Sequence, residues 1–325
     1  MATKDEILKL LEEKENGFIS GEEMAKELYL TRAAVWKGIK TLQKSGYPIE
    51  AVTNRGYRLV RKTPLLKEAE LRKQITSDRK FELFIYDEIG STNDEALEYA
   101  KTHPGREAIF IANRQTKGRG RRGREFFSPG DTGLYMSFLL YPKVTFAEAS
   151  TYTCMTAVAL CEAIEEALKV EPKIKWVNDI FYDDKKVAGI LTEGIASVED
   201  NCLSHVVIGA GINIYSPYGG FPGKLKDIAG FLLKESADEG ARQRLCSAFI
   251  NRLFYWLSKP MLSFKEDYKE RSLLTGKYVR VESFTGEKAK YALVTGIDDE
   301  LRLLVRYEDG REAALSNGEV SVKKY

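Results

Sequence analysis

Along the chain, hydrophobic positions change period twice, and the changes divide it into three regions. In the first, Ile7, Leu10 and Leu11 make one apolar helix face. Ser20 with Glu23 forms a capping box for a second helix carrying Met24 and Leu28, and Thr31 caps a third with Val35, Ile39 and Leu42. Ser45-Gly46-Tyr47-Pro48 breaks the pattern. Residues 49–52 and 57–60 then flank Thr53-Asn54-Arg55-Gly56, which predicts a two-stranded ribbon around a tight turn. Helix, helix, turn, helix and ribbon is the layout of a winged helix-turn-helix, expected over residues 1–63. Residues 64–80 read as a linker with a polar helix, broken at Pro64.

From 81 to about 270 the pattern alternates. Strands are expected at 81–86, 108–112, 134–140, 174–176, 187–192 and 206–214, and helices at 151–168 and 241–257. This predicts an α+β domain around a mixed sheet. Beyond Thr275 short strands (278–282, 290–295, 301–307, 312–315) alternate with glycine turns, as in a small SH3-like β-barrel over 271–325. The fold class is therefore α+β and multidomain.

Charge sharpens the first region. Between Leu28 and Ile49 the chain carries Arg32, Lys37, Lys40 and Lys44 and no acid, and the ribbon turn adds Arg55. Thr31, Arg32, Ala33, Trp36 and Lys37 start the third helix, where a helix-turn-helix reads base edges in the major groove. Lys40 and Arg55 suit phosphates. Overall the net charge is only +2, so any basic site is local. Four scattered cysteines without C-x-x-C spacing suit a reducing cytoplasm, and two histidines leave little for a His-based triad or zinc centre. The chain starts into an amphipathic helix rather than a signal peptide, and no apolar stretch approaches the ~20 residues of a membrane span. The expected location is the cytoplasm.

Gly118-Arg119-Gly120-Arg121-Arg122-Gly123-Arg124, followed by Ser128-Pro129, places three glycines and four arginines in seven residues. Such a loop combines close backbone approach with forked cationic donors, and fits closure over an anion. It matches G-x-G-x-x-G literally, but turn chemistry rather than a helix follows, so the dinucleotide reading fails. A Walker loop fails too, because Gly276-Lys277 is followed by Tyr278. Four more segments join it. Ser91-Thr92-Asn93 opens a helix, with its hydroxyls and amide at the N-terminus. Lys175-Trp176-Val177-Asn178-Asp179 ends a strand, Lys185-Lys186-Val187-Ala188-Gly189-Ile190-Leu191 begins the next, and Gly209-Ala210-Gly211-Ile212-Asn213 ends another.

In this order, and behind a winged helix, these motifs resemble those of the bifunctional biotin–protein ligases that also act as biotin-responsive repressors. The resemblance spans essentially the whole chain. It implies that biotin and ATP, with Mg2+, form biotinyl-5′-AMP, and that biotin then passes to a lysine of the biotin carboxyl carrier protein. It also implies operator DNA as a partner, homodimerisation with biotinyl-AMP bound, and no membrane partner. By the same resemblance Ser91, Thr92, Asn93, Gln115, Gly118, Arg119, Arg121, Trp176, Lys186 and Gly189 take biotin. Arg119, Arg121, Arg122, Arg124, Phe126, Asn178, Asp179 and Asn213 take the nucleotide. Lys186 and Arg121 are the catalytic pair, Lys186 bridging the biotin carboxylate and the α-phosphate. Magnesium would arrive with ATP rather than in a dedicated protein site. Two positions depart from the family pattern: Phe126 stands where Trp is common, and Val177 where Pro is usual. The alternatives are a DNA-binding biotin sensor without ligase activity and an adenylating enzyme of the lipoate-ligase kind.

Overall fold

The computed structural model describes the chain apart from residues 1–2, 15–16, 45–46, 61–65, 143, 146–147, 197–201, 235–237, 239, 283–288, 317–318 and 323–325. The expected breaks at Ser45-Gly46 and Pro64 lie outside the described residues.

The N-terminal unit consists of α1 (Thr3–Glu13), α2 (Gly21–Glu27), α3 (Arg32–Lys44) and the antiparallel pair β1 (Ile49–Val52) and β2 (Gly56–Leu59). Both expected caps form. Ser20 and Glu23 satisfy one another's backbone N–H groups across the start of α2, and the Thr31 hydroxyl accepts from the Ala34 N–H at 3.1 Å. The predicted apolar faces of the three helices close over one another with Ile19, Ile49 and Leu59 in a core of their own. Ile19 exchanges two backbone hydrogen bonds with Tyr57, so the segment before α2 supports the ribbon from one side. The ribbon turns through Asn54 at φ 64° and Gly56 at φ 99°; the latter conformation strains any residue with a Cβ.

A short helix α4 (Glu68–Gln74) leads into the central unit. Its Leu71 is fully buried, and Asn251 holds its end through the Gln74 carbonyl and the Thr76 N–H. The central unit then runs β3 (Glu82–Ile89), α5 (Thr92–Thr102), β4 (Ala108–Gln115), β5 (Gly133–Leu140), α6 (Ala149–Leu168), β6 (Lys173–Lys175), β7 (Asp179–Tyr182), β8 (Lys185–Ala196), β9 (Leu203–Asn213), α7 (Leu225–Ile228), α8 (Ala241–Leu257) and α9 (Lys265–Glu270). Its seven strands form a mixed sheet in the order β3-β4-β5-β9-β8-β7-β6, with only β3 and β4 parallel. Strand periodicity sorts side chains between two layers. Phe110, Leu139 and Val207 face α5, whereas Ile109, Ile111, Met136, Phe138 and Ile208 face α6 and α8.

Five further strands, β10 (Tyr278–Glu282), β11 (Lys290–Ile297), β12 (Leu303–Tyr307), β13 (Glu312–Leu315) and β14 (Glu319–Val322), form an antiparallel sheet in the order β13-β12-β11-β10-β14. Its apolar face joins the same hydrophobic cluster as the central unit. Trp176 fastens the two, its indole N–H donating to the Leu301 carbonyl at 3.0 Å.

Two strands differ from the sequence reading. β7 occupies a stretch read as the end of one strand and a turn. Ile180 is wholly buried there while its neighbours are half-buried, an alternation too short to stand out by itself. β14 was not expected; four residues are too short a stretch to set a period. Among the described residues no helix is long and apolar enough to cross a membrane.

Candidate active site

The C-terminal ends of β4 and β9, the N-terminus of α5, the β7–β8 hairpin and the arginine loop enclose a cavity of about 470 Å³, walled on one side by Glu282 and Val320 of the C-terminal sheet. Of the residues expected to take biotin or nucleotide, all line it except Gly118 and Arg122. Gly118 instead lies under the loop, where a Cβ would overlap the Phe126 carbonyl. Arg122 stands exposed at the turn, at φ 61°.

The loop is a small hairpin, not a wandering coil. Arg119 bridges Glu125, the Gly120 N–H donates to the Arg124 carbonyl at 2.7 Å, and the chain reverses over Arg121–Gly123. Ser128-Pro129 is its footing. The Ser128 hydroxyl accepts from the Gln115 amide at 3.0 Å and donates to the Phe126 carbonyl at 2.9 Å; the Pro129 carbonyl accepts from Tyr135 and Thr132. The Phe126 ring lies on Gly211 and beside Gly189, which face each other across β8 and β9. A side chain at Gly211 would occupy the place of that ring.

The floor is polar but neutral at its centre. The Thr92 N–H and hydroxyl face the Gln115 carboxamide oxygen at 2.9 and 3.1 Å. Ser137, fully buried, reaches Thr92 at 2.7 Å and donates to the Asn93 carboxamide oxygen at 2.6 Å. Asn93 in turn donates to Glu193 at 2.7 Å. Gly209 is needed beside it, since a Cβ there would overlap the Asn93 carboxamide. The sequence reading named neither Ser137 nor Glu193. Ser137 sits inside an apolar strand, and Glu193 follows its motif by two residues, so neither stands out by composition.

Cations gather on the other walls. Lys186 pairs with Asp179 at 2.6 Å. Arg121 donates to the Asn178 carboxamide oxygen at 2.9 Å, and Asn178 is oriented by its own donation to the Ile190 carbonyl. Arg119 is differently placed, between Asp94 at 2.7 Å and Glu193 at 2.9 Å. Burial alone would weaken its hold on a proton; the two carboxylates more than offset that. Its charge is thus already balanced within the floor, whereas Arg121 is held by a neutral amide. Asn213 donates to the Gly230 carbonyl at 3.1 Å, fixing the far rim near α7.

On the N-terminal unit, Thr31, Arg32, Ala33, Trp36, Lys37, Lys40 and Arg55 are all exposed on one α3 surface and the ribbon tip. The Arg55 and Arg58 guanidinium groups lie 4.3 and 4.7 Å from the Phe18 ring, which preorders the ribbon's cations. Beyond α3, the Tyr47 hydroxyl donates to Glu88 at 2.6 Å, and the Arg114 guanidinium lies 3.7 Å over the Tyr47 ring while bonding Glu88 at 2.7 Å. Burial lowers the Arg114 pKa to about 10.

A mixed-sheet pocket with a neutral polar floor and a cationic lid, joined to a helix-turn-helix unit, defines the class of small-acid protein ligases that carry a DNA reader. Residues 87–213 match the biotin/lipoate A/B protein ligase family and residues 3–58 match an HTH domain. The chain is 34% identical over 312 residues to the bifunctional ligase/repressor BirA of Bacillus subtilis, covering 94% of this chain and 95% of that one. It is 29% identical over 319 residues to the protein of the same name in Escherichia coli, covering 97% of each. The solved biotin protein ligase from Aquifex aeolicus in complex with biotin and ATP superposes with a TM-score of 0.60 at 27% identity, covering 75% of this chain and 99% of that one. The chain belongs to the biotin/lipoate protein ligase family, in its bifunctional ligase/repressor form.

Proposed function

We propose that this protein activates biotin with ATP and transfers it to a carrier-protein lysine, and that with the intermediate bound it represses transcription from operator DNA. In the first step a biotin carboxylate oxygen attacks the α-phosphorus of ATP and pyrophosphate leaves, giving biotinyl-5′-AMP. In the second the acceptor ε-amine attacks the acyl carbon, an amide forms, and AMP leaves with the amine's proton released to solvent.

The observation that carries this reading is the division of one cavity into a neutral directional floor and a cationic wall. A cyclic urea is neutral and needs fixed donors and acceptors, which Ser91, Thr92, Asn93 and Gln115 offer, with Trp176 and Gly189 giving a tight apolar flank. A carboxylate and a triphosphate repel each other and need cations between them. Lys186 takes that place, exchanging Asp179 for the reacting oxygens, where a fixed cation lowers the barrier most. Arg121 joins it in the transition state. Arg122 and Arg124 close over the phosphates, Phe126 stacks on the adenine in place of the larger Trp ring, and Asn213 takes the ribose side. Arg119 serves the floor more than the phosphates because its charge is already matched. The Gly118 backbone supports the closed loop, which keeps water from the mixed anhydride. The oxygens of Asp179 and Asn178 are hard donors of the kind Mg2+ accepts, so the ion brought by ATP fits beside them.

On the DNA side, Thr31, Arg32, Ala33, Trp36 and Lys37 read the major groove while Lys40 and Arg55 take phosphates. Ordering of the arginine loop favours a homodimer that spans two half-sites. The units run 1–63, 64–80, 81–270 and 271–325, the last curling as a small SH3-like barrel.

Biotin-dependent ATP–pyrophosphate exchange tests the reading. Exchange that requires biotin and collapses in Lys186→Ala supports it. Tight biotin binding without exchange would make the protein a DNA-binding sensor, and exchange driven by lipoate in competition with biotin would make it a lipoate enzyme.

A further inference from the structure

Glu193 enters the reading above only as one of the carboxylates that balance Arg119, yet it ends the run of hydrogen bonds that forms the floor. Its side chain is 24% exposed and one oxygen accepts from both Asn93 Nδ2 at 2.7 Å and Arg119 Nη2 at 2.9 Å. The consequences follow from counting protons. An ionised carboxylate only accepts, so the Asn93 amide must turn its NH2 toward Glu193 and its oxygen away. That oxygen also only accepts, and it lies 2.6 Å from Ser137, so the single Ser137 proton is committed there. Ser137 then accepts from Thr92, 2.7 Å away, which spends the single Thr92 proton and leaves the Gln115 oxygen, 3.1 Å from that hydroxyl, to the Thr92 N–H. Gln115 is oriented beside it by the backbone, its oxygen held by the Thr92 N–H and its NH2 turned onto Ser128.

We propose that Glu193 is a positioning residue that sets the donor–acceptor direction of the Asn93–Ser137–Thr92 run of the floor, and through it the recognition of the urea ring. This rests on the cavity being the biotin pocket. With a neutral amide at position 193 the shape is kept, but the new side chain can donate as well as accept. Asn93 is then free to turn over, the Ser137 proton is released from it, and the floor exists in two directions, only one complementary to the ligand. Arg119 would also lose one of its two carboxylates, which lies on the same floor and not on the phosphate wall.

The test is steady-state pyrophosphate exchange by the full chain carrying Glu193→Gln. The KM for biotin should rise at least about tenfold, the scale of one charge-assisted hydrogen bond. Desthiobiotin, which keeps the urea ring and lacks the sulfur, should suffer equally. The KM for ATP and the kcat at saturating biotin should stay within about threefold, since neither depends on the floor. Ser137→Ala interrupts the run at its middle and should also raise the biotin KM while sparing ATP. An unchanged biotin KM in Glu193→Gln, or a parallel rise for biotin and ATP, overturns the inference. Should that variant not fold, an unchanged biotin KM in Ser137→Ala overturns it equally. Wild-type protein without biotin-dependent exchange would instead remove the reading of the cavity itself, a separate failure.

Discussion

The arginine loop and the pocket floor meet at Arg119 and are built on opposite plans. The loop is exposed at Arg122 and Arg124, turns through a positive φ, and presents charge on a short hairpin whose Arg121 reaches across to Asn178. The floor is buried and charge-neutral at its centre, and each of its amides and hydroxyls is fixed by a neighbour. A loop of this kind can close after the ligand arrives. A floor of this kind must be right beforehand. On the proposed reading, charge serves where the substrate is charged and direction serves where it is neutral, so the two halves of one small acid would be recognised by different physics.

That contrast can be broken experimentally. The largest effect belongs to the wall: Lys186→Ala should lower kcat for pyrophosphate exchange at least about 100-fold, as for loss of a single electrostatic stabiliser. The melting temperature should barely move, because the lysine is a partly exposed member of an ion pair. Next comes the floor. Gly209→Ala drives a methyl into the Asn93 carboxamide, and overpacking of about 1–3 kcal/mol should appear as a biotin Kd raised roughly ten- to 100-fold in calorimetry. ATP binding measured alone should not follow. If both ligands weaken together, the floor is not a separate device. Arg121→Gln should cost about tenfold in kcat/KM for ATP, within the range of a charged hydrogen bond, with little change in thermal stability. The smallest effect lies on the N-terminal unit. Arg55→Ala should weaken operator binding a few-fold and reduce the slope of log K against log salt by about 0.9, as for one phosphate contact. Phe18→Leu should move that slope in the same direction by freeing Arg55, which a loss of base contact would not do.

How much of this was legible in the sequence follows the same division. The loop could be read because seven residues hold all its chemistry in a row. The two helix caps and the ribbon turn were legible for a similar reason, being local arrangements of Ser20, Glu23, Thr31 and Asn54-Arg55-Gly56. The floor is non-local. Asn93 meets Glu193 across 100 positions, and Ser137 meets Thr92 across 45. No window of sequence contains both partners, and a serine inside an apolar strand looks like an ordinary small residue until the register of β5 aims it at α5. The charge of Arg119 misleads for the same reason: in sequence it is one of four equivalent arginines, and only the fold gives it two carboxylates. The short strands β7 and β14 escaped notice because each is only four residues long, too short to set a period.

Tyr47 follows the helix that carries the proposed base-reading residues, and it is fastened through Glu88 and Arg114 to the two parallel strands of the central sheet. Glu88 stands three residues before Ser91, and Arg114 one before Gln115. The reader and the pocket therefore share covalent neighbours. A ligand that prefers one arrangement of those strand ends changes the affinity of the reader for its DNA, and the DNA must change the affinity for the ligand by the same factor. Three side chains with one hydroxyl, one carboxylate and one guanidinium are the place where that reciprocity would be written.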